Sequence, residues 1–388
     1  MFFIGTDRQA KRAYGFDEIA LVPSSVTVDI DDVDVSTRIG PVELKIPFLA
    51  SAMDGVVDVK FSIALGKLGG LAVLNLDGVQ TRYENPGEVI EKIRNVCRKK
   101  QKSSTEIIQK IYKEPVKEKL ISQRITEIKK GGIRAAVSTI PKNAERYSKI
   151  AEEAGCNVFV IQSTVTTAKF ISSKQEKVDL NKICSQLKMP VIIGNTVSYQ
   201  GALELMETGC WGVLVGIGPG AACTTRGVLG IGVPQVTAIV DCAAARDLYF
   251  SKTKRYVSII ADGGMITGGD ICKAFACGSD AAMIGSGFAR AEESPGCGFH
   301  WGMATSHKNL PRGTGIYVGR SGKLKDILFG PAKTDDGTQN LVGALATSMG
   351  SLGAKNIKEM QKVEIIIAPE IKHEGKIMQK RQGVGMGK

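Results

Sequence analysis

The residues with the clearest chemical potential lie in the segment 216–226, which reads G-I-G-P-G-A-A-C-T-T-R. Glycines let a backbone approach a ligand closely, and Cys223 presents a nucleophilic thiol at the end of this glycine-rich stretch. Thr224 and Thr225 follow at once, and a threonine hydroxyl can relay a proton during nucleophilic chemistry. Because a free cysteine is usually an inert core residue, a buried small-residue loop remains the alternative for this segment taken alone.

Eight short apolar segments alternate with helical patterns, and these elements would position the thiol. The segments are 46–51, 71–74, 133–138, 158–162, 191–194, 213–216, 257–262 and 281–285. Helical patterns cover 59–68, 122–130, 144–154, 200–208 and 270–277, and several of them end at a glycine. Alternating strands and helices predict right-handed βαβ units and a parallel sheet. Eight units in about 250 residues predict an α/β fold of the (β/α)8 TIM-barrel type, with a doubly wound open sheet as the alternative.

In such a barrel the active site lies on the loops that follow the strands. Cys223 follows the sixth segment, A-D-G-G (261–264) ends and follows the seventh, and I-G-S (284–286) ends and follows the eighth. Phosphate groups commonly bind at the last two of these loops through backbone N–H groups. Taken singly, the two motifs are also compatible with a simple turn and a helix N-cap. Together with the thiol they predict a phosphorylated substrate held beside a nucleophile.

The whole chain, 1–388, is predicted to be a single barrel domain. Residues 92–130 are predicted to be a helical insertion after the second strand, and 340–359 to be helical. Residues 298–331 contain Gly, His and Trp with little periodicity, which predicts an active-site loop region. The basic, Gly-rich residues 375–388 are predicted to be a flexible tail.

The net charge of +12 is concentrated in part between residues 92 and 134, where basic and apolar residues interleave at helical spacing. This pattern predicts solvated helix faces rather than a nucleic-acid-binding surface, although a basic field also attracts anionic nucleotides. Nine cysteines without a C-x-x-C pair indicate a reducing compartment. The N-terminus lacks a signal-peptide pattern and no apolar run reaches membrane-spanning length. We therefore expect a cytoplasmic protein without a membrane partner.

The motifs, taken together, resemble the IMP dehydrogenase/GMP reductase family over nearly the whole chain. The segment 216–226 resembles the catalytic cysteine loop of that family. Its other motifs follow in the family's order: F-D-E-I-A-L-V-P at 16–23, P-F-L-A-S-A-M-D at 47–54, A-D-G-G at 261–264, I-G-S at 284–286, W-G-M-A at 301–304 and M-G-S-L-G-A-K-N-I at 349–357. The resemblance implies a TIM barrel that assembles as a homotetramer, with stacking into an octamer left open.

The resemblance also implies the roles of individual residues. Cys223 would attack C2 of a purine nucleoside monophosphate and form a covalent adduct, and Thr225 would handle the water or ammonia. A thiolate adduct at this carbon can expel hydride or ammonia. The implied substrate-binding residues are Met53, Asp262, Gly264, Gly285, Ser286, Gly302 and Met303. The implied contacts of the NAD or NADP(H) cofactor are Gln162, Ser163, Thr164, Asn195 and Gly216. The implied ligands of a potassium ion are the carbonyls of Gly218, Gly220 and Cys223.

Several residues depart from the family's pattern. Gln162 stands where an Asp usually contacts the cofactor, and Leu214 stands where a basic residue is usual. Ala221 replaces a phosphate-contacting Ser, and His300 replaces a Tyr. Arg312 lies near the usual position of a catalytic Glu or Gln. The tandem regulatory domain of typical dehydrogenases is missing, which implies the short divergent branch found in cyanobacteria and actinobacteria.

The direction of the reaction follows from the segment 304–331. A dehydrogenase brings an Arg-bearing flap into the emptied cofactor site to activate water, but this segment is short and lacks the family's Arg-Tyr pair. A reductase uses the same covalent intermediate without hydrolysis. The sequence therefore favours GMP reductase, which converts GMP and NADPH to IMP and ammonia. The alternatives are IMP dehydrogenase, which makes XMP from IMP and NAD, and an inactive nucleotide-binding regulator, which would need neither Cys223 nor Thr225.

Overall fold

A computed structural model describes residues 2–98, 104–173, 178–302 and 315–385 of the chain, without the side chains of 104 and 105. Eight parallel strands close into a barrel, in which each strand pairs with the next along the chain and the last pairs with the first. The strands are β1 (Phe48–Ala50), β2 (Leu71–Asn75), β3 (Ala136–Thr139), β4 (Val158–Gln162), β5 (Val191–Thr196), β6 (Gly212–Val215), β7 (Ser258–Asp262) and β8 (Ala281–Ile284). The predicted TIM barrel is therefore confirmed, and the open sheet is wrong.

Helices connect and surround these strands. They are α1 (Val59–Lys67), α2 (Pro86–Arg98), α3 (Ser104–Ile111), α4 (Glu118–Lys130), α5 (Pro141–Glu153), α6 (Leu180–Gln186), α7 (Tyr199–Glu207), α8 (Thr225–Leu229), α9 (Gln235–Thr253), α10 (Gly268–Ala276), α11 (Ser286–Ala289), α12 (Leu324–Phe329), α13 (Leu341–Ser351), α14 (Ile357–Met360) and α15 (Ile377–Gln382). Local capping explains where α10 begins. The Thr267 hydroxyl accepts a hydrogen bond from the Asp270 N–H, and the Asp270 carboxylate accepts one from the Thr267 N–H. None of the helices in the described parts of the chain is both long and apolar enough to cross a membrane.

The core has two parts, because side chains alternate between the two faces of each strand. Along β6, Val213 and Val215 face the shell between strands and helices, whereas Leu214 lies in the barrel interior with Ile192 and Ile260. Leu214 is completely buried there. Burial of a leucine side chain contributes about 1.5–3 kcal/mol, so this position serves packing rather than ligand binding.

The chain between β2 and β3 folds into three helices, α2 to α4. The helical region begins at Pro86 rather than at residue 92, because proline fits the first turn of a helix. Side chains of α2 and α3 form a separate apolar cluster with Val79, Tyr112 and Trp301. The insertion therefore packs against the segment that follows β8.

The C-terminal part is more structured than its sequence predicts. Within 298–331, the strand Phe299–Trp301 pairs antiparallel with Gly315–Tyr317, and α12 follows. The predicted helical region 340–359 contains two helices: α13 ends at Ser351, Gly353 adopts a φ of +74°, and α14 begins at Ile357. The helix α15 lies inside the predicted tail, whose flexibility stays a prediction.

Short elements outside the barrel complete the fold. The hairpin Thr37–Ile39 and Val42–Leu44 contributes Ile39, Val42 and Leu44 to the barrel-interior cluster, so it lies against one end of the barrel. The remaining paired strands are Phe2–Ile4 with Arg8–Ala10, and Ile19–Leu21 with Ile365–Ile367. The described residues also form three short 3-10 helices, Phe16–Glu18, Ile30–Asp32 and Val79–Thr81.

Candidate active site

Cys223 lies on the loop between β6 and α8, at the end of the barrel where strands lead into helices. Its thiol donates a hydrogen bond to the Thr225 hydroxyl over 3.1 Å, and its N–H donates to the Gly220 carbonyl over 3.0 Å. Thr225 is buried as the first residue of α8, whereas Cys223 is exposed. The structure thus brings the two predicted catalytic residues together and presents the sulfur at the surface.

The other cysteines differ from Cys223 in exposure. All nine lie in the described residues, and the remaining eight are buried or half-buried. Burial raises the pKa of Cys184 and Cys272 to about 11, and that of Cys156 and Cys277 to about 12. Because the thiolate is the nucleophile, these four thiols are inert at neutral pH.

The glycines of the cysteine loop allow close approaches that other residues would prevent. A Cβ at Gly216 would lie 2.3 Å from the Asp262 carbonyl oxygen, and a Cβ at Gly218 would lie 2.7 Å from Arg226 Cγ. Gly218 also has a φ of +73°, which favours glycine. Arg226 then binds the carbonyls of Ile217 and Val233. The loop is therefore held at both its β6 end and its α8 end.

Asp262, the last residue of β7, is held by two neutral amides. Its Oδ2 accepts hydrogen bonds from Asn195 Nδ2 over 2.8 Å and from Gln162 Nε2 over 3.0 Å. Asn195 Nδ2 also donates to the Gly216 carbonyl over 2.8 Å. Burial raises the pKa of Asp262 to about 6, although both amide hydrogen bonds lower it. The ends of β4, β5, β6 and β7 thus converge on one carboxyl group that titrates near neutral pH.

Gln235 is a site residue that sequence reasoning missed. This buried first residue of α9 donates from Nε2 to the Val215 carbonyl over 2.8 Å and to the Asp262 carbonyl over 3.1 Å. It joins the ends of β6 and β7 directly beneath the cysteine loop. A glutamine after Pro234 carries no sequence signal for this role, because both partners lie 20 or more residues away.

The predicted phosphate loop after β8 contacts the predicted base-binding loop after β1. A Cβ at Gly285 would lie 3.2 Å from Met53 Sδ. Ser286 Oγ lies 3.0 Å from His300 Nε2. His300 is only 2% exposed, and burial lowers its pKa to about 4. The imidazole beside Ser286 is therefore neutral at physiological pH.

Pro219 connects the phosphate loop after β7 to the cysteine loop. Gly264 has a φ of +80°, and a Cβ there would lie 3.0 Å from Pro219 Cβ. A Cβ at Gly263 would lie 3.3 Å from Pro219 Cγ and 3.4 Å from the Gly220 nitrogen. The loops after β6 and β7 are therefore in direct contact.

The predicted cofactor residues lie at the ends of β4, β5 and β6. The Asn195 N–H donates to the Ser163 carbonyl over 3.1 Å, and the Ser163 hydroxyl donates to the Val165 carbonyl over 2.8 Å. Thr164 is the half-buried neighbour in the same loop. These contacts fix the loop after β4 against the end of β5.

A buried hydrogen-bond chain ties the insertion to the site. Asp54 Oδ2 accepts from the Tyr112 hydroxyl over 2.6 Å and from the Val79 N–H over 3.0 Å, and Trp301 Nε1 donates to the Tyr112 hydroxyl over 2.7 Å. This chain fixes the neighbours of Asp54 and Trp301, which are Met53 and Gly302. Met303 and Arg312 lie outside the described residues.

Side chains of the described residues form no cluster of three or more His, Cys, Asp or Glu that could hold a metal ion. The predicted cation ligands are backbone carbonyls instead, and neutral oxygens of this kind suit a hard monovalent cation. The Gly220 carbonyl already accepts the Cys223 N–H over 3.0 Å, but a carbonyl oxygen has a second lone pair.

The comparisons with known proteins agree with this architecture. The sequence pattern of the IMP dehydrogenase/GMP reductase domain matches residues 13–375. An uncharacterized oxidoreductase of Mycobacterium leprae is 37% identical over 95% of this chain and 100% of its own length. An inosine-5'-monophosphate dehydrogenase of Cryptosporidium parvum is 31% identical over 89% of this chain and 90% of its own. The crystal structure of an IMP dehydrogenase/GMP reductase-like protein from Corynebacterium glutamicum has a TM-score of 0.88 and 35% identity, covering 94% of this chain and 96% of that one.

Proposed function

Since the chain belongs to the IMP dehydrogenase/GMP reductase family of oxidoreductases, we propose that it is a GMP reductase, which converts GMP and NADPH to IMP, NADP+ and ammonia. The observation that carries this proposal is the exposed Cys223 thiol, which is bonded to Thr225 and flanked by the loops after β7 and β8. An inactive nucleotide-binding regulator would have no use for this pair.

The geometry supports the following order of bond changes. The Cys223 thiol donates to Thr225 Oγ1, so its proton can leave through this hydroxyl as the sulfur adds to C2 of GMP. Thr225 returns a proton to the amine, which leaves C2 as ammonia while the sulfur–carbon bond remains. A nicotinamide cofactor, when bound, supplies the hydride that C2 requires. The sulfur then leaves C2 with its bonding electrons and takes up one proton from solvent, which restores the thiol, and IMP is released.

Binding of the nucleotide is assigned to three loops. Asp262 would accept hydrogen bonds from the ribose hydroxyls. The N–H groups of Gly264, Gly285 and Ser286 would hold the phosphate, with His300 beside Ser286. Met53 lies against Gly285 and would contact the base together with Met303.

The cofactor and the cation are assigned to the other side of the cysteine loop. Ser163, Thr164 and Gly216 offer hydroxyl and backbone groups to NAD(P)H at the ends of β4 and β6. The carbonyls of Gly218, Gly220 and Cys223 would hold potassium, and Gly218 has the left-handed backbone that turns this loop tightly. Activity should therefore respond to potassium.

The direction of the reaction is inferred from the length of chain between the strands Phe299–Trp301 and Gly315–Tyr317. Only residues 302–314 connect these strands, and beyond them the Val318 N–H donates to Gly298 and the Ser321 N–H donates to Arg290. So short a segment offers little for a hydrolytic flap, which favours reduction. The second candidate is IMP dehydrogenase, which is favoured by the name of the Cryptosporidium parvum relative.

We further propose a cytoplasmic homotetramer. Phe2, Phe3 and Ile4 are exposed apolar residues on one hairpin, and association of subunits is one way to cover such residues. Sedimentation of the purified protein would measure the subunit number.

The test of the proposed function is an assay in both directions, with and without potassium. GMP and NADPH should give IMP and ammonia in equal amounts. IMP and NAD should give at most a burst of cofactor reduction followed by slow turnover. Cys223→Ala should abolish turnover and change GMP affinity by no more than a few fold, whereas the control Cys184→Ala should remain active. Rapid, steady XMP formation without GMP-dependent NADPH oxidation would make the protein a dehydrogenase.

A further inference from the structure

Gln162 ends β4 at the loop assigned to the cofactor, yet its side chain is bonded to the residue assigned to the ribose. We infer that Gln162 is a positioning residue for the Asp262 carboxylate and not a contact of the cofactor. This inference rests on the proposed nucleotide site, in which Asp262 binds the ribose hydroxyls. It gives a role to a residue type that departs from the family's usual aspartate.

The amide nitrogen of Gln162 has no donor left for a ligand. A side-chain amide has two N–H donors, and Gln162 Nε2 gives one to Asn195 Oδ1 and one to Asp262 Oδ2, each over 3.0 Å. Asn195 Nδ2 is committed in the same way, to the Gly216 carbonyl and to Asp262 Oδ2. Both amide nitrogens are therefore fully committed, and Asp262 Oδ2 is the acceptor that they share.

All the bonds from these amides to Asp262 fall on one carboxylate oxygen. Oδ2 accepts from both Gln162 and Asn195, which anchors this oxygen, and neither bond uses Oδ1. Asp262 remains partly exposed. A carboxylate held by one oxygen in this way is oriented before the ligand arrives, so less entropy is lost when the ribose binds.

The surroundings of Asp262 make the two amides important for its charge. The elements packed against it present Gln162, Asn195 and Gln235, which are all neutral, and Cys223 is the titratable residue of the loop after β6. Burial raises the pKa of Asp262, and the two amide hydrogen bonds oppose that rise. Loss of the Gln162 donor should therefore raise the pKa further, because the ionised form loses a partner.

The residue type at position 162 thus affects both the charge and the orientation of the Asp262 carboxylate. A glutamate at this position would place a second carboxylate within about 3 Å of Oδ2, and like charges so close cannot both ionise readily. A leucine of similar size would remove the hydrogen bond without adding charge. We therefore expect both substitutions to weaken nucleotide binding, but for different reasons.

The experiment compares wild type, Gln162→Leu and Gln162→Glu, with Gln200→Leu as the control. Gln200 is an exposed glutamine on α7 that donates to Glu204, outside the site. Three quantities are measured from pH 5 to pH 8: the Kd for GMP by calorimetry, the KM for NADPH, and the pKa of Asp262 by carbon NMR of the unliganded protein. Thermal unfolding checks that each variant is folded.

Both Gln162 variants should bind GMP roughly tenfold more weakly at pH 7, because Asp262 is then partly protonated and its carboxylate is no longer oriented before the ribose binds. Their Asp262 pKa should rise, and the pH below which GMP binding weakens should rise with it. The KM for NADPH should change less than twofold, and Gln200→Leu should match wild type. An unchanged Kd and an unchanged Asp262 pKa in folded variants would overturn the inference, as would an NADPH KM raised tenfold with GMP binding intact. Failure of the wild type to bind GMP would instead refute the proposed function, while the NMR titration would still decide whether Gln162 controls Asp262.

Discussion

Asp262 and Asp280 lie at opposite ends of neighbouring strands, and their surroundings differ in charge. Asp262 ends β7 and receives two neutral amides. Asp280 immediately precedes β8, is 2% exposed, and pairs with Arg246 and Lys358 while it also accepts the Tyr256 hydroxyl. Burial raises the pKa of Asp262 to about 6. Burial alone would raise the pKa of Asp280 as well. The charges of Lys358 and Arg246 outweigh burial and lower the pKa of Asp280.

The difference separates a structural carboxylate from one available to a ligand. A buried charge paired with cations and hydrogen bonds stays ionised and fixes the elements around it. A carboxylate held only by amides keeps a charge that a ligand or a proton can still change. In TIM barrels the two ends have this same division, with ligand binding at the carboxyl ends of the strands and stability at the amino ends.

The largest expected effect is on stability at the Asp280 end. Asp280→Asn should lower the free energy of unfolding by about 3–5 kcal/mol, because it removes the buried charged partner of Arg246 and leaves only the exposed Asp247. The matched control is Asp247→Asn, which removes an exposed partner of the same arginine and should cost at most about 1 kcal/mol. Denaturant unfolding measures the loss in each variant. Equal losses in the two variants would contradict the structural role of Asp280.

The next effect is on ligand binding at the Asp262 end. Asp262→Ala should weaken GMP binding by about 1.5–3 kcal/mol for each ribose hydrogen bond that it removes. Calorimetry measures this loss. Since Asp262 pairs with no cation among the residues that the structure describes, Asp262→Asn should leave the fold at least as stable as wild type near pH 7. A large loss of stability in Asp262→Asn would show that this carboxylate is structural too.

The contributions of Asp262 and Asp280 to the free energy of unfolding should change with pH in opposite directions. The folded-state pKa of Asp262, about 6, exceeds its unfolded value of 3.8, so the folded protein binds more protons between about pH 4 and pH 6. The stability of wild type relative to Asp262→Asn should therefore fall on the order of 1–3 kcal/mol as pH rises through that window. The contribution of Asp280 is present above about pH 4 and is lost as pH falls through its lowered pKa. Unfolding curves at several pH values test both signs.

A smaller, kinetic effect concerns the thiols. Iodoacetamide should modify Cys223 first, because it is exposed while the other eight cysteines are buried or half-buried. GMP should slow this reaction by covering the loop. Peptide mass spectrometry identifies the modified residue, and initial labelling of Cys184 at an equal rate would contradict the assigned accessibility.

The smallest effect is expected at His300. Its pKa of about 4 keeps it neutral from pH 5 to pH 8, so it contributes a hydrogen bond rather than a charge to the phosphate loop. His300→Gln should weaken GMP binding only a few fold, with the same pH dependence as wild type. A loss that appeared only below pH 7 would mean that the imidazole becomes charged on binding.

The barrel and the cysteine loop were predictable from the sequence because their signals are local. Each strand is a short apolar run bounded by turns, and the order of the strands places Cys223 and Asp262 at one end. The break within the predicted helical region 340–359 was not predicted: the first helix ends before Gly353, and the Asn356 cap begins the second. Neither residue interrupts the apolar periodicity on which the prediction depended.

The contacts within the site were not predictable, because they join residues that are distant in sequence. Gln162 and Asp262 are 100 residues apart, and Tyr112 and Trp301 are 189 apart. Which acceptor a side-chain N–H reaches depends on how distant segments are placed in the fold, which periodicity does not specify. The site residues named by resemblance stay predictions, and the structure adds Gln235 and Tyr112 to them.

The most direct test of the account is the covalent state of Cys223 during turnover. Wild-type protein consuming GMP and NADPH is quenched with acid, digested and analysed by mass spectrometry. We expect a purine nucleotide attached through sulfur to the peptide that contains Cys223, and no such adduct and no turnover in Cys223→Ala. Sustained turnover with the Cys223 peptide unmodified, together with an active Cys223→Ala variant, would contradict it.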